Sequence, residues 1–283
     1  MSSPSHWLLL GCLVALTVST AHAQQAESQS DTTTGKTDVP TRQIEFSYAY
    51  MNPVSYRGRT FGVRQWGMIP QLTYKAPSGW AAYGVGYIWN DFQTSSLGKL
   101  DLGVEKEGKL GKNLSYTLGY ERWFFPGAEP GETQPLSNFL ETYLSGEWND
   151  WTPALGVYYM VGLAQLLQTD LQLSRYLGLG EGKAWSLFAE PTLKAMFANQ
   201  SLLINGLYQP PANTRPRRRV VPSENRPFGL VAAELDLPIT LQTARWRLVA
   251  DPRLAQPYNT LSTERKTAFF YFVATLTYTL KLS

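Results

Sequence analysis

From about residue 42 onward, apolar and polar side chains alternate one by one, and this period of two persists almost to the C-terminus. Ile44, Phe46, Tyr48 and Tyr50 alternate with Glu45, Ser47 and Ala49, and Leu114, Tyr116, Leu118 and Tyr120 with Ser115, Thr117, Gly119 and Glu121. The last stretch is the cleanest: Ala268, Phe270, Phe272, Ala274, Leu276, Tyr278, Leu280 and Leu282 share one phase, and Thr267, Thr275, Thr277, Thr279 and Lys281 the other. Side chains of an extended chain point to opposite faces in turn, so such a pattern demands a sheet with a different solvent on each face.

Twelve segments carry the pattern, near 43–51, 67–75, 80–90, 98–106, 113–124, 138–148, 151–161, 170–179, 184–197, 229–238, 244–254 and 267–282. Their connections alternate in length. Short turns such as Ala76–Gly79 and Asn149–Asp150 are followed by longer loops at 52–66, 91–97, 125–137, 162–169, 198–228 and 255–266. Sorting of this kind is the mark of an antiparallel up-and-down transmembrane β-barrel, with tight periplasmic turns and long extracellular loops. The fold class expected is therefore all-β, a single barrel of about 12 strands, with 10 if the weaker segments drop out. A lumen of that size lies between barrels filled by side chains and barrels that leave an aqueous channel.

Period alone does not say which face is outside; a soluble ligand-binding barrel has the opposite arrangement. The residue types decide. Charges sit near strand centres on the polar face, while Trp89, Tyr120, Trp148, Trp151, Tyr159, Trp185 and Trp246 sit near strand ends on the apolar face. That distribution fits an aromatic girdle at a membrane surface. It requires Phe270 and Leu276 to face outward and Asp101 and Glu190 to face the lumen. Two residues strain the scheme: Arg175 shares the apolar phase of Leu171, Leu173, Leu177 and Leu179, and Pro191 lacks a ladder donor in a barrel without edges.

Composition narrows the function. Nine Trp, sixteen Tyr and twelve Phe exclude disorder, and a net charge of +3 gives no reason to expect a nucleic-acid partner. Residues 1–23 read as a secretory signal, with an apolar core over Leu8–Leu16 and the small-x-small site Ala21-His22-Ala23. A lipoprotein signal acylated on Cys12 is the rival. Residues 24–41 read as a disordered periplasmic leader and 42–283 as the barrel. Cys12, His6 and His22 are the chain's only cysteine and histidines. After cleavage no thiol or imidazole remains, which removes disulfides, His/Cys metal sites, Cys nucleophiles and Ser-His triads. No enzyme, metal or cofactor is expected, although a carboxylate pair stays chemically conceivable.

The polar phase directs ten acids inward, Glu45, Asp101, Glu105, Glu121, Glu141, Glu147, Glu190, Glu234, Asp236 and Asp251, against seven bases, Lys75, Lys99, Lys194, Arg245, Arg247, Arg253 and Lys281. Asp101, Glu105, Glu121, Glu190, Lys194, Glu234, Asp236, Arg245 and Arg247 are the candidate lumen-lining set. A turn near 240–241 would oppose Asp236 to Arg245 and Glu234 to Arg247. The candidate extracellular basic residues are Arg57 and Arg59 in the first loop and Arg215, Arg217, Arg218 and Arg219 in the fifth. They suit anionic headgroups or anionic solutes.

Short motifs run through residues 43–197: Val54-Ser55-Tyr56-Arg57-Gly58, Pro70, Ser78-Gly79-Trp80, Leu100-Asp101-Leu102-Gly103, Phe124-Phe125-Pro126-Gly127 and Asn138-Phe139-Leu140-Glu141-Thr142-Tyr143. Their order resembles the conserved-hypothetical outer-membrane barrel family labelled Gcw_chp. Phe125 stands where that family has Tyr, and the long fifth loop and terminal Ser283 also depart from it. The resemblance implies an outer-membrane barrel and brings no catalytic residues.

Two functions follow from these readings. One is a porin-like passive channel for small polar solutes, and the other a non-conducting structural or surface-interaction barrel with a salt-bridged lumen. Either would sit in the bacterial outer membrane among its lipid and lipopolysaccharide. The sequence leaves the oligomeric state open.

Overall fold

The computed structural model describes residues 41–53, 55, 66–90, 95–124, 137–162, 165–199, 228–258 and 266–282. The expected signal peptide, nearly all of the leader, and the basic loop residues Arg57, Arg59, Arg215, Arg217, Arg218 and Arg219 lie outside these residues.

The strands are β1 (Arg42–Asn52), β2 (Trp66–Lys75), β3 (Trp80–Asn90), β4 (Ser95–Lys109), β5 (Leu114–Phe124), β6 (Asn138–Gly146), β7 (Trp151–Val161) and β8 (Gln165–Arg175). They continue as β9 (Leu177–Gly182), β10 (Trp185–Ala189), β11 (Thr192–Ala198), β12 (Gly229–Asp236), β13 (Ile239–Thr243), β14 (Trp246–Pro257) and β15 (Phe269–Leu282). Each of β1 to β7 pairs with the next; β8 then pairs with β11, β11 with β12, β12 with β14, β14 with β15, and β15 with β1. The ring is a closed twelve-strand antiparallel barrel. Closure leaves no edge within the ring, as a sheet in hydrocarbon requires.

The remaining segments extend three of these strands. β9 carries β8 onward, β10 precedes β11, and β13 continues β12, so that β9, β10, β13 and the start of β14 pair in turn. The interruptions align. Arg175, Pro191, Leu237 and Pro252 fall in one cross-strand row, and Tyr176, Glu190, Pro238 and Asp251 in the next. A hydrogen-bonded antiparallel pair exchanges two backbone bonds, but proline has no N–H to give. Only one survives in each pair: Arg175 N–H to Pro191 O (3.1 Å), Glu190 N–H to Pro238 O (3.0 Å) and Leu237 N–H to Pro252 O (3.0 Å). Pro191 is thus accommodated by halving the ladder along a shared row, with no free edge needed.

The turns obey local chemistry. Asn149, at φ 55°, makes the two-residue turn closed by the Trp148–Trp151 bridge. Gly79, at φ 80°, closes the β2–β3 turn, where a Cβ would stand 2.5 Å from the Glu107 carbonyl oxygen.

The apolar phase faces outward. Phe270 is 62% exposed and Leu276 44%, whereas Asp101 is 1% exposed. Outward Trp80, Trp148, Trp151, Trp185 and Trp246 gather at the short-turn rim, and Tyr120 lies toward the opposite rim. Tyr159 is half-buried, and the Trp89 side chain falls outside the described set. Arg175 does point outward, but beside the rim, its guanidinium 5.3 Å from the Trp151 ring centre. It thus stands away from the mid-height of the apolar belt, where an arginine facing hydrocarbon would cost roughly 2–4 kcal/mol.

Candidate functional site in the barrel lumen

The lumen is layered. Toward the long loops, two apolar clusters line it. One contains Trp123, Phe139, Tyr158, Met160, Leu166 and Met196; the other contains Ile69, Tyr83, Val85, Phe269, Tyr271 and Val273. Sequence reasoning expected aromatic residues outside, and these were missed as inward groups. Their signal was parity: Trp123 shares the phase of Glu121, and Phe139 that of Glu141. Toward the short turns, hydroxyls such as Ser115, Ser145, Thr240 and Thr275 are buried inward. The charges interleave with the lower edge of the apolar clusters: Val85, Asp101 and Trp123 share one cross-strand row, and Tyr83, Gly103, Glu121 and Phe139 another.

On the β3–β6 side, Asp101, Glu105, Glu121 and Glu141 are each 0–3% exposed. Tyr83 lies flat over Gly103, where a Cβ would come within 2.3 Å of its ring. This lets its hydroxyl reach across β4 and donate to Glu121 Oε1 (2.8 Å). The Trp123 indole N–H donates to the other oxygen, Oε2, at 2.8 Å. Lys99 pairs with Asp101 at 2.7 Å and places its ammonium 4.1 Å from the ring centres of both Tyr87 and Trp123.

On the opposite side, Lys194 of β11 pairs with Asp236 and lies 3.9 Å from Glu234, both of β12. Arg253 of β14 holds Asp251 at 2.5 Å and lies 3.7 Å from Glu234 and 4.0 Å from Asp236. Tyr271 of β15 donates to Glu234 Oε2 at 2.6 Å. Four strands are tied together by this one network.

Of the candidate lumen set, Asp101, Glu105, Glu121, Glu234 and Asp236 are buried inward, while Glu190, Lys194 and Arg247 are half-buried. Arg245 is a correction: it is exposed in the β13–β14 turn. Both predicted pairs also fall. Asp236 opposes Arg253, and Glu234 opposes Ala255. The cause is Pro238, which interrupts the strand without turning the chain. The turn comes several residues later, where Thr243 Oγ1 accepts from the N–H groups of Trp246 (3.0 Å) and Arg245 (3.4 Å). Glu147, expected inward, is also exposed at a turn, and Asp170, absent from the expected acids, is buried.

No protein-family model matches the chain, so the resemblance to the Gcw_chp family rests on its short motifs alone. No curated protein matches either. Among solved structures, the chain is similar to the NanC porin at 11% identity and a TM-score of 0.47, covering 84% of this chain and 100% of that one. LpxR from Salmonella typhimurium is similar at 11% identity and a TM-score of 0.43, covering 83% and 99%. The translocator domain of the autotransporter NalP from Neisseria meningitidis gives 12% identity and a TM-score of 0.40, covering 93% and 96%.

Proposed function

We propose that this chain is a barrel of the bacterial outer membrane whose lumen is closed at mid-height by its own side chains, making it a non-conducting structural or surface-interaction barrel. The exterior supports the membrane part. Phe46, Leu72, Leu102, Leu118, Leu171, Leu193, Leu235 and Leu248 form an apolar belt around it, and tryptophans border one rim. In this reading lipid and lipopolysaccharide are its immediate surroundings, and an N-terminal signal over residues 1–23 exports it.

The closed lumen rests on one observation. Lys99, Asp101, Glu105, Glu121, Glu141, Glu234 and Asp236 are ionisable, long enough to reach inward, and each at most 3% exposed. A water-filled passage would wet such tips. In the filled lumen the same burial argues against carboxylate catalysis, because a substrate would reach the acids only where one of the plugging side chains is removed.

The second reading is the porin-like channel for small polar solutes. The hydroxyl-lined half toward the short turns and the charged middle favour it, and it requires the side-chain plug to move. Planar-bilayer recording of the refolded chain separates the two. The closed reading expects no conductance steps at either polarity; reproducible steps would replace it with the channel.

A further inference from the structure

The Lys99 ammonium sits in surroundings that have the form of a ligand site. It is 2% exposed, 2.7 Å from the Asp101 carboxylate, and 4.1 Å from each of two aromatic ring centres, Tyr87 on β3 and Trp123 on β5. Two aromatic rings and one carboxylate around a desolvated cation are the elements with which proteins recognise alkylammonium groups. The Trp123 ring is fixed in place by its indole bond to Glu121, which Tyr83 anchors in turn. Among the described residues of this wall, four buried acids, Asp101, Glu105, Glu121 and Glu141, accompany a single buried base, Lys99. Their summed field favours a cation at this spot. Asp101 Oδ1 has no hydrogen-bond partner and is itself buried, so the carboxylate retains acceptor capacity inside the lumen.

We infer that the lumen wall between β3 and β5 is a recognition site for a primary ammonium cation, and that Lys99 occupies it as an internal ligand. The chemical class matched by this wall is therefore small alkylammonium compounds, in contrast to the anions suited by the basic loop residues. The inference stands apart from the question of conduction, since a site of this kind can exist in a closed or an open barrel.

Lys99→Ala tests it. That substitution removes three methylenes and an ammonium, and n-propylammonium supplies the same atoms with only a terminal hydrogen added. The full chain, refolded in detergent, is titrated with n-propylammonium by calorimetry, with neutral 1-propanol as the control. Saturable binding to the variant is expected, at least about tenfold tighter for n-propylammonium than for 1-propanol, as a desolvated cation between two rings and a carboxylate requires. It should be absent from the wild-type chain, whose site is filled, and lost from Lys99→Ala combined with Asp101→Asn. Equal binding of the two compounds, equal binding to wild type, or no saturable binding would each overturn the site. Should Lys99→Ala fail to fold unaided, its folded yield is measured with each compound present during refolding. A higher yield with n-propylammonium alone supports the site, and equal yields overturn it.

Discussion

The two sides of the barrel wall are built differently. From β1 to β7 the ladder is carried by long strands, and its charged groups do little to tie strands together. Lys99 and Asp101 lie on one strand, and the Glu45–Lys75 pair, 3.0 Å apart, is half wet. The Tyr83–Glu121 bond, passing over Gly103, and the Arg122–Asn138 bond (2.7 Å) from β5 to β6 do cross strands. From β8 to β14 the aligned prolines Pro191, Pro238 and Pro252 remove backbone bonds. There the side-chain network of Lys194, Glu234, Asp236, Asp251, Arg253 and Tyr271 joins β11, β12, β14 and β15 from within. Asp251 and Arg253 flank Pro252, and Asp236 lies two residues before Pro238. The contrast teaches that a barrel wall can exchange ladder bonds for ionic ones, with lumen charge acting as strand-to-strand fastening.

The largest expected effect comes from removing a fastening. Arg253→Met leaves Asp251, Glu234 and Asp236 with Lys194 as their nearest remaining cation. It should cost about 3–5 kcal/mol in denaturant unfolding of the refolded barrel. A loss below about 1 kcal/mol would mean that the network is incidental to the wall.

On the regular side, the corresponding test is steric. Gly103→Ala drives a methyl into the Tyr83 ring and displaces the hydroxyl from Glu121, for a loss of about 1–3 kcal/mol by the same assay. No loss would show that the Tyr83 ring lifts away freely.

The smallest effect belongs to the seam itself. Pro238→Ala restores an N–H facing the Glu190 carbonyl. The recovered bond is worth about 0.5–1.5 kcal/mol, and greater freedom of the unfolded chain offsets about 0.4–1 kcal/mol of it. Net stability should hardly change, while amide exchange slows across β10–β13. In the Pro238→Ala background, Arg253→Met should cost less than in wild type, because the ladder then shares the work. Identical costs in both backgrounds would separate the network from the seam.

Much of this architecture is legible in the amino-acid sequence. Period two, sorted loops and rim tryptophans suffice for the barrel, because each reports directly on which medium a residue meets. Arg175 could be recognised as a strain and Pro191 as a missing donor, although their remedies, a rim position and a shared proline row, depend on neighbouring strands far away in sequence. The lumen was less legible. Its charged members followed from phase, but pairing depends on register, and Pro238 resembles a turn signal while acting only as an interruption. The inward aromatics share their phase with acids, so a two-letter pattern of oil and water has no symbol for them. Lys99 was only one inward base among seven until Tyr87 and Trp123 were seen on either side of it.

The pairing of β1 with β15 sets Arg42 opposite Leu282, so the first of the fifteen strands in chain order is joined to the fifteenth. Without that pairing β1 would present an unpaired edge and the ring would stay open. The seal is thus a contact between residues about as far apart in the chain as the barrel allows, and its loop-closure cost falls due before any of its bonds can repay it, as when a staved cask is hooped only after the last stave is set.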